Sequence, residues 1–138
     1  AAVEEAIASD RRPTTLLDFG DNIGGGAAGD STFVLEQLLE QEADGWVVTI
    51  WDPAAAQQCV DAGIGVAVAL TVGGKTDSEH GSPLRIEGFV RTLSDGVYEE
   101  FERRHGGPSA QTRSNRRRAC TLWHRRRFAR PQQFARIT

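Results

Sequence analysis

LLDFGDNIGGGAAGDST, residues 16–32, is the stretch on which the reading of this chain turns. It passes from an apolar, strand-like segment, through a loop holding Gly24, Gly25, Gly26 and Gly29, into a helix that Asp30, Ser31 or Thr32 can cap. Glycine serves where a Cβ would forbid a sharp bend or the close approach of a ligand. The capping residues serve because their side-chain oxygens accept from the orphan amides of a helical first turn. Two readings fit: a loop for a polar ligand or a neighbouring domain, or a tight strand-to-helix turn with no ligand.

Working outward, residues 3–8 read as the end of a helix, with Val3 and Ile7 on one face. Arg11-Arg12-Pro13 stops it, because the residue before proline avoids the helical region. Residues 14–19 then read as a short buried strand. The next helix is expected over 32–41, burying Phe33, Leu35, Leu38 and Leu39, and Gly45 follows it. Residues 46–51 and 66–72 are uncharged strands of a covered sheet. Between them Asp52 caps a helix that has Pro53 at its first position and runs to about residue 62. Residues 83–93 alternate apolar and charged side chains, as an edge or surface strand does, and Ser94-Asp95-Gly96 closes it. The expected fold class is α/β: a small, mostly parallel sheet flanked by helices, with right-handed crossovers, a surface strand or hairpin, and an irregular arginine-rich tail.

The net charge of −3 over 138 residues conceals two different polymers. Residues 1–102 hold all 19 carboxylates and five basic side chains, a balance of −14, whereas residues 103–138 hold 11 arginines and no acid, +11. A boundary is therefore expected after residue 102. Three readings stand for the segment beyond it: a basic nucleic-acid-binding arm, a disordered tail, or reading out of frame in GC-rich DNA. The last is preferred, and nucleic-acid binding ranks below disorder. The absence of methionine suggests a processed chain or a fragment. No apolar run approaches the roughly 20 residues that span a bilayer, and no signal-peptide pattern opens the chain, so the expectation is a soluble protein of a reducing compartment without membrane contact.

Candidate chemistry concentrates in the loop. Successive amides of Gly24, Gly25 and Gly26, with the N-terminus of the following helix, are expected to form an anion-binding concavity. No lysine follows the last glycine as a nucleotide-hydrolase loop requires, and the glycine spacing is wrong for a dinucleotide fingerprint. Asp18, Asp21 and Asp30 would repel a phosphate, which favours a zwitterionic, peptide-like or carbohydrate-like ligand. Lys75 sits just past a strand end, where α/β sheets place ligand contacts, or is simply solvated. Asp52 reads as a helix cap. His80, His105 and His124 form no metal-ligand pair, and Cys59 and Cys120 give neither a disulfide framework nor a metal spacing. No catalytic residue and no metal site is expected in this chain.

Asp21-Asn22-x-Gly24-Gly25-Gly26-Ala27-x-Gly29-Asp30-Ser31-Thr32 resembles the glycine-rich signature of the C-terminal domain of the microcystinase C family. Ile50-Trp51-Asp52-Pro53, Ala62-Gly63-Ile64-Gly65 and Val72-Gly73-Gly74-Lys75 agree in order and spacing, and the similarity covers about residues 3–96. Ile23 and Ala28 stand where the family usually carries proline. The resemblance implies a piece of a zinc-dependent, metallopeptidase-like hydrolase of microcystin degradation, acting on linearised microcystin and related small peptides. It implies that the zinc is bound outside this chain, by a larger N-terminal catalytic domain that is the chain's partner, and that the chain alone is inert. Asp21, Asn22, Gly24, Gly25, Gly26, Gly29, Asp30, Ser31, Thr32 and Lys75 would then form a substrate-binding or domain-interface loop. Two alternatives remain open: a non-catalytic α/β module for a small polar ligand, and a nucleic-acid-associated protein acting through its tail.

Overall fold

The computed structural model describes residues 1–95, 97–100, 111–114, 119–124 and 134–137. Three helices, α1 (Ala2–Ala8), α2 (Phe33–Glu40) and α3 (Pro53–Ala62), accompany seven strands. The strands are β1 (Val47–Ile50), β2 (Ala67–Val72), β3 (Leu84–Ser94), β4 (Val97–Glu100), β5 (Gln111–Ser114), β6 (Ala119–His124) and β7 (Phe134–Ile137). Five of them make one sheet in the order β1-β7-β6-β3-β2, and β4 pairs with β5 as a separate antiparallel ribbon.

The sheet is mostly antiparallel, contrary to expectation. Among the described residues only β1 and β7 run parallel, whereas β7–β6, β6–β3 and β3–β2 are antiparallel. The expected crossover assumed that β1 and β2, joined by α3, lie side by side. Instead three strands come between them in the sheet order, two of them from the arginine-rich segment. That segment was expected to be irregular; its described residues include β6 and β7, and Cys120, Leu122 and Ile137 lie in the core. Strands from both sides of residue 102 share the five-stranded sheet.

α3 packs against β2, β3, β6 and β7. Its buried residues are small, Ala55, Ala56 and Cys59, which brings the helix close to the strands. Side chains alternate along β3: Ile86 and Val90 are buried, whereas Arg85, Glu87 and Arg91 are exposed. This is the pattern of a sheet with one covered face. β3 is therefore an interior strand and not the edge its charges suggested. β2 looked continuous in sequence because its solvent face carries Ala67 and Ala69, apolar but small, opposite buried Leu70 and Val72.

Two further expectations fail for local reasons. Residues 14–19 form no strand, and Phe19 is 83% exposed. The Asp18 carboxylate accepts from the amides of Gly20 (3.1 Å) and Asp21 (3.3 Å), bending the chain where a ladder would need it straight. Phe33 is half exposed at the start of α2, and Leu35 and Leu38 bury that helix instead. α1 lies against α2 and buries Val3.

The core joins Leu35, Ile50, Val72, Val90, Leu122 and Ile137, none more than 1% exposed. Full burial of each such side chain contributes about 1.5–3 kcal/mol. Cys59 and Cys120, far apart in sequence, meet inside this core with their thiols hydrogen-bonded. That contact lowers the Cys59 pKa, and the same contact, together with burial, raises that of Cys120.

Ile137→Ala should cost about 2–5 kcal/mol in denaturant unfolding, the range for a large core side chain cut to alanine. A loss below about 0.5 kcal/mol, the scale of a surface change, would show that β7 does not belong to the core. Ellman's reagent should label neither cysteine in the folded chain and both after unfolding, because each thiol is buried.

Candidate functional site

The glycine-rich loop is fastened from inside by its own acids. Asp21 turns its carboxylate back along the loop, accepting from Gly29 N at 2.6 Å and Ser31 N at 2.7 Å. Asn22 caps a single 3-10 turn, Ile23–Gly25, through Gly24 N at 3.0 Å. Gly25 N donates to the Asn22 carbonyl (2.8 Å) and Gly26 N to the Ile23 carbonyl (3.1 Å). The three amides expected to cradle an anion are therefore all donating within the loop. The loop's outer surface exposes Gly24, Gly25 and Gly26 together with Asp18, Asn22 and the apolar Leu17, Phe19 and Ile23.

Residues 29–32 are held at every position. The Gly29 carbonyl accepts from Trp51 N at 2.7 Å and the Asp30 carbonyl from Gly74 N at 2.7 Å, so this short run ties the chain just past β1 to the chain just past β2. Asp30, only 2% exposed, accepts on Oδ2 from Lys75 N (2.9 Å), Thr76 N (3.0 Å) and Thr76 Oγ1 (3.0 Å). Asp30 Oδ1 and Ser31 Oγ are buried without a hydrogen-bond partner among the described residues. Thr32 N donates to the His80 carbonyl (3.0 Å), and its hydroxyl donates to the Ser82 carbonyl (2.9 Å). None of the expected caps closes α2 with its side chain: Thr32 holds the N-cap position, but its hydroxyl is spent on residue 82.

Asp52 caps α3 as expected, with Oδ1 accepting from Ala55 N at 3.0 Å. It also does more. Its Oδ2 accepts from Gly73 N (3.1 Å) and pairs with Lys75 Nζ (2.6 Å), which donates in turn to the Thr71 carbonyl (2.7 Å). Asp52 is 3% exposed, so the ammonium is the counter-charge of a buried carboxylate and not a freely solvated lysine. A buried carboxylate needs such donors, because an unpaired charge in the interior costs several kcal/mol. Gly73 and Gly74 permit the approach. Both adopt positive φ, +62° and +55°, and a Cβ on Gly73 would come within 2.7 Å of the Asp30 carbonyl.

Bonds thus link Asp21 to Gly29 and Ser31, Asp30 to Lys75, and Thr32 to the segment around residues 80–82, whereas Asn22, Gly24, Gly25 and Gly26 bond within their own exposed turn. Beside these residues lie Asp77, which sequence reading passed over, and His80, which it weighed only as a metal ligand. His80 Nδ1 lies 2.8 and 2.9 Å from the two Asp77 oxygens and Nε2 lies 3.3 Å from the Gly20 carbonyl. The hydrogen bond to Asp77 raises the His80 pKa, with support from Gly20 and Asp21 against the effect of burial, and the same contact lowers that of Asp77. The Asp-x-x-His spacing at 77–80 was the available signal, since Asp77 also accepts from the amides of Glu79 and His80 in an Asx turn.

No group of three or more His, Cys, Asp or Glu side chains suited to a metal ion occurs among the described residues. Asp30 Oδ2 and both oxygens of Asp52 face amides, a hydroxyl and an ammonium, donors a cation would have to displace. The described residues therefore do not fit a zinc ion. Among them, no helix is long and apolar enough to cross a membrane.

An α/β domain whose glycine loop is locked between two strand ends matches a known family. The MlrC C-terminus family matches residues 16–129, and the chain belongs to it. That match continues past residue 96, where the resemblance in sequence was read to end, into the arginine-rich segment. Microcystinase C from Sphingomonas sp is 35% identical over 103 residues, which are 74% of this chain and 20% of that protein. The chain thus corresponds to about a fifth of that relative's length. The crystal structure of a candidate metallopeptidase from Mesorhizobium sp. BNC1 superposes with a TM-score of 0.74 at 22% identity, covering 99% of this chain and 26% of that one. It shares the fold.

Gly73→Ala should cost at least about 1–2 kcal/mol from its left-handed backbone alone, with more from the collision with Asp30. Lys75→Met should cost about 1–3 kcal/mol, because it strands a buried acceptor. In both cases chemical denaturation is the measurement, and a neutral Lys75→Met would show that Asp52 does not need its ammonium.

Proposed function

We propose that this chain is the C-terminal domain of a microcystinase C-like metallohydrolase that cleaves peptide or amide bonds in small peptides in the cytoplasm. One observation carries the reading: a chain of this family, a fifth the length of its relative, presents a loop rigidly braced from within and bare on its outer surface. Bracing of that kind positions a surface against something. Residues 20–32 would line the substrate cleft, or seat against the larger remainder of the enzyme, with Asp21 and Asp30 fixing the backbone and Gly24–Gly26 allowing close approach. Exposed Leu17, Phe19 and Ile23 offer apolar area for either contact.

Zinc would be bound by polypeptide outside this chain, where it would supply a nucleophile by lowering the pKa of a water. The part played by these residues is to shape and exclude: a loop with no free charge at its tip presents backbone and apolar surface to a peptide. Replacing the matched fifth of the Sphingomonas protein with this chain tests the proposal. The chimera should hydrolyse a linear peptide and lose that activity with a chelator, whereas this chain alone should not. Asn22→Ala in the chimera, which releases the 3-10 turn, should lower kcat/KM about tenfold, equivalent to about 1.4 kcal/mol. Unchanged turnover in a folded Asn22→Ala chimera would sink the loop's role.

A further inference from the structure

His80 touches the loop at both of its ends. Its ring Nε2 lies 3.3 Å from the carbonyl of Gly20, where the loop begins. Its main-chain carbonyl accepts from Thr32 N at 3.0 Å, where the loop ends and α2 starts. On its other side the ring meets both oxygens of Asp77. Each ring nitrogen therefore faces an acceptor. A neutral imidazole carries one N–H and can satisfy only one of them, leaving a lone pair against an oxygen at the other. The imidazolium carries two and satisfies both. The charged groups around the ring also favour the cation: Asp77 on its own loop and Asp21 from the glycine-rich loop are both acidic.

We propose that His80 is a positioning residue for the glycine-rich loop, fastening its first residue to Asp77 when the ring carries two protons and releasing it when one is lost. The main-chain bond to Thr32 persists in both states, so only the Gly20 end is switched. Acid thus holds the loop closed at both ends, and alkali frees one. The sign follows from the direction of the shift. His80 is raised by Asp77, so its contribution is complete below the unfolded histidine value near 6.5 and fades as pH rises through the folded value. Asp77 is lowered, so the pair also fails in strong acid, as pH falls through the folded Asp77 value. An effect on turnover would rest on the loop's proposed place in the cleft; the latch itself does not.

Nuclear magnetic resonance on this chain, with no peptide substrate, separates the two ideas. Ring shifts of His80 should report a midpoint above 6.5, with both nitrogens protonated below it. Across that midpoint, exchange of the residue 20–22 amides, corrected for intrinsic rates, should rise about tenfold relative to α2 as local opening becomes easier. Asp77→Asn should bring the midpoint down toward 6.5, and His80→Phe should make the loop exchange independent of pH while α2 keeps its protection. A wild-type midpoint at or below 6.5, or loop exchange that ignores the titration, would overturn the proposal. So would Asp77→Asn leaving the midpoint in place, since a purely structural histidine would tolerate it.

Discussion

Two buried carboxylates hold this domain in register. Asp30 and Asp52 come from different elements, and each collects donors from the turn that follows β2: Asp52 takes Gly73 N and Lys75 Nζ, and Asp30 takes Lys75 N and Thr76. Neither can be removed from water without these partners, because an isolated interior charge is far costlier than a satisfied one. The requirement works as geometry. The turn can sit only where both acids reach it, so the strand before it, the helix after Asp52 and the loop before Asp30 are mutually fixed.

The same arrangement explains why a loop rich in glycine is ordered. Glycine loses more conformational freedom on folding than any other residue, so four of them in six positions ought to leave a floppy tip. Asp21 offsets that cost with two short bonds spanning 8 and 10 residues, and Asn22 closes the turn between them. The acids of the signature therefore build the loop and do not line it. At the tip, what faces outward is uncharged: Asn22, Ile23 and three glycines.

Helices and uncharged strands were legible in the sequence because capping and periodicity are local. Asp52-Pro53 marked the start of α3, and Trp46 through Trp51 marked β1 to within a residue. The sheet's direction was not legible, since the partner of β1 lies 87 positions further on and that of β3 25 to 36, both in a segment whose arginines hide its short apolar runs. Cys120-Thr121-Leu122 lies between arginine triplets and reads as tail, yet Cys120 and Leu122 are buried. At the site, Asp52 announced itself as a short-range cap, whereas the cap formed by Asn22 did not. The ion pair of Asp52 with Lys75 and the reach of His80 to Gly20 span 23 and 60 residues, and no spacing rule carries that far.

Pairing Val47 with Phe134 joins residues 87 positions apart. A ribosome adding roughly 5–20 residues per second leaves β1 waiting on the order of 5–15 s for its neighbour. Through that interval a strand reading VVTI shows an unmet row of amides and carbonyls to its surroundings. Nascent chains of this family therefore have reason to recruit a chaperone, or to fold only after release, and contacts this distant in sequence predict slow refolding even for so small a domain.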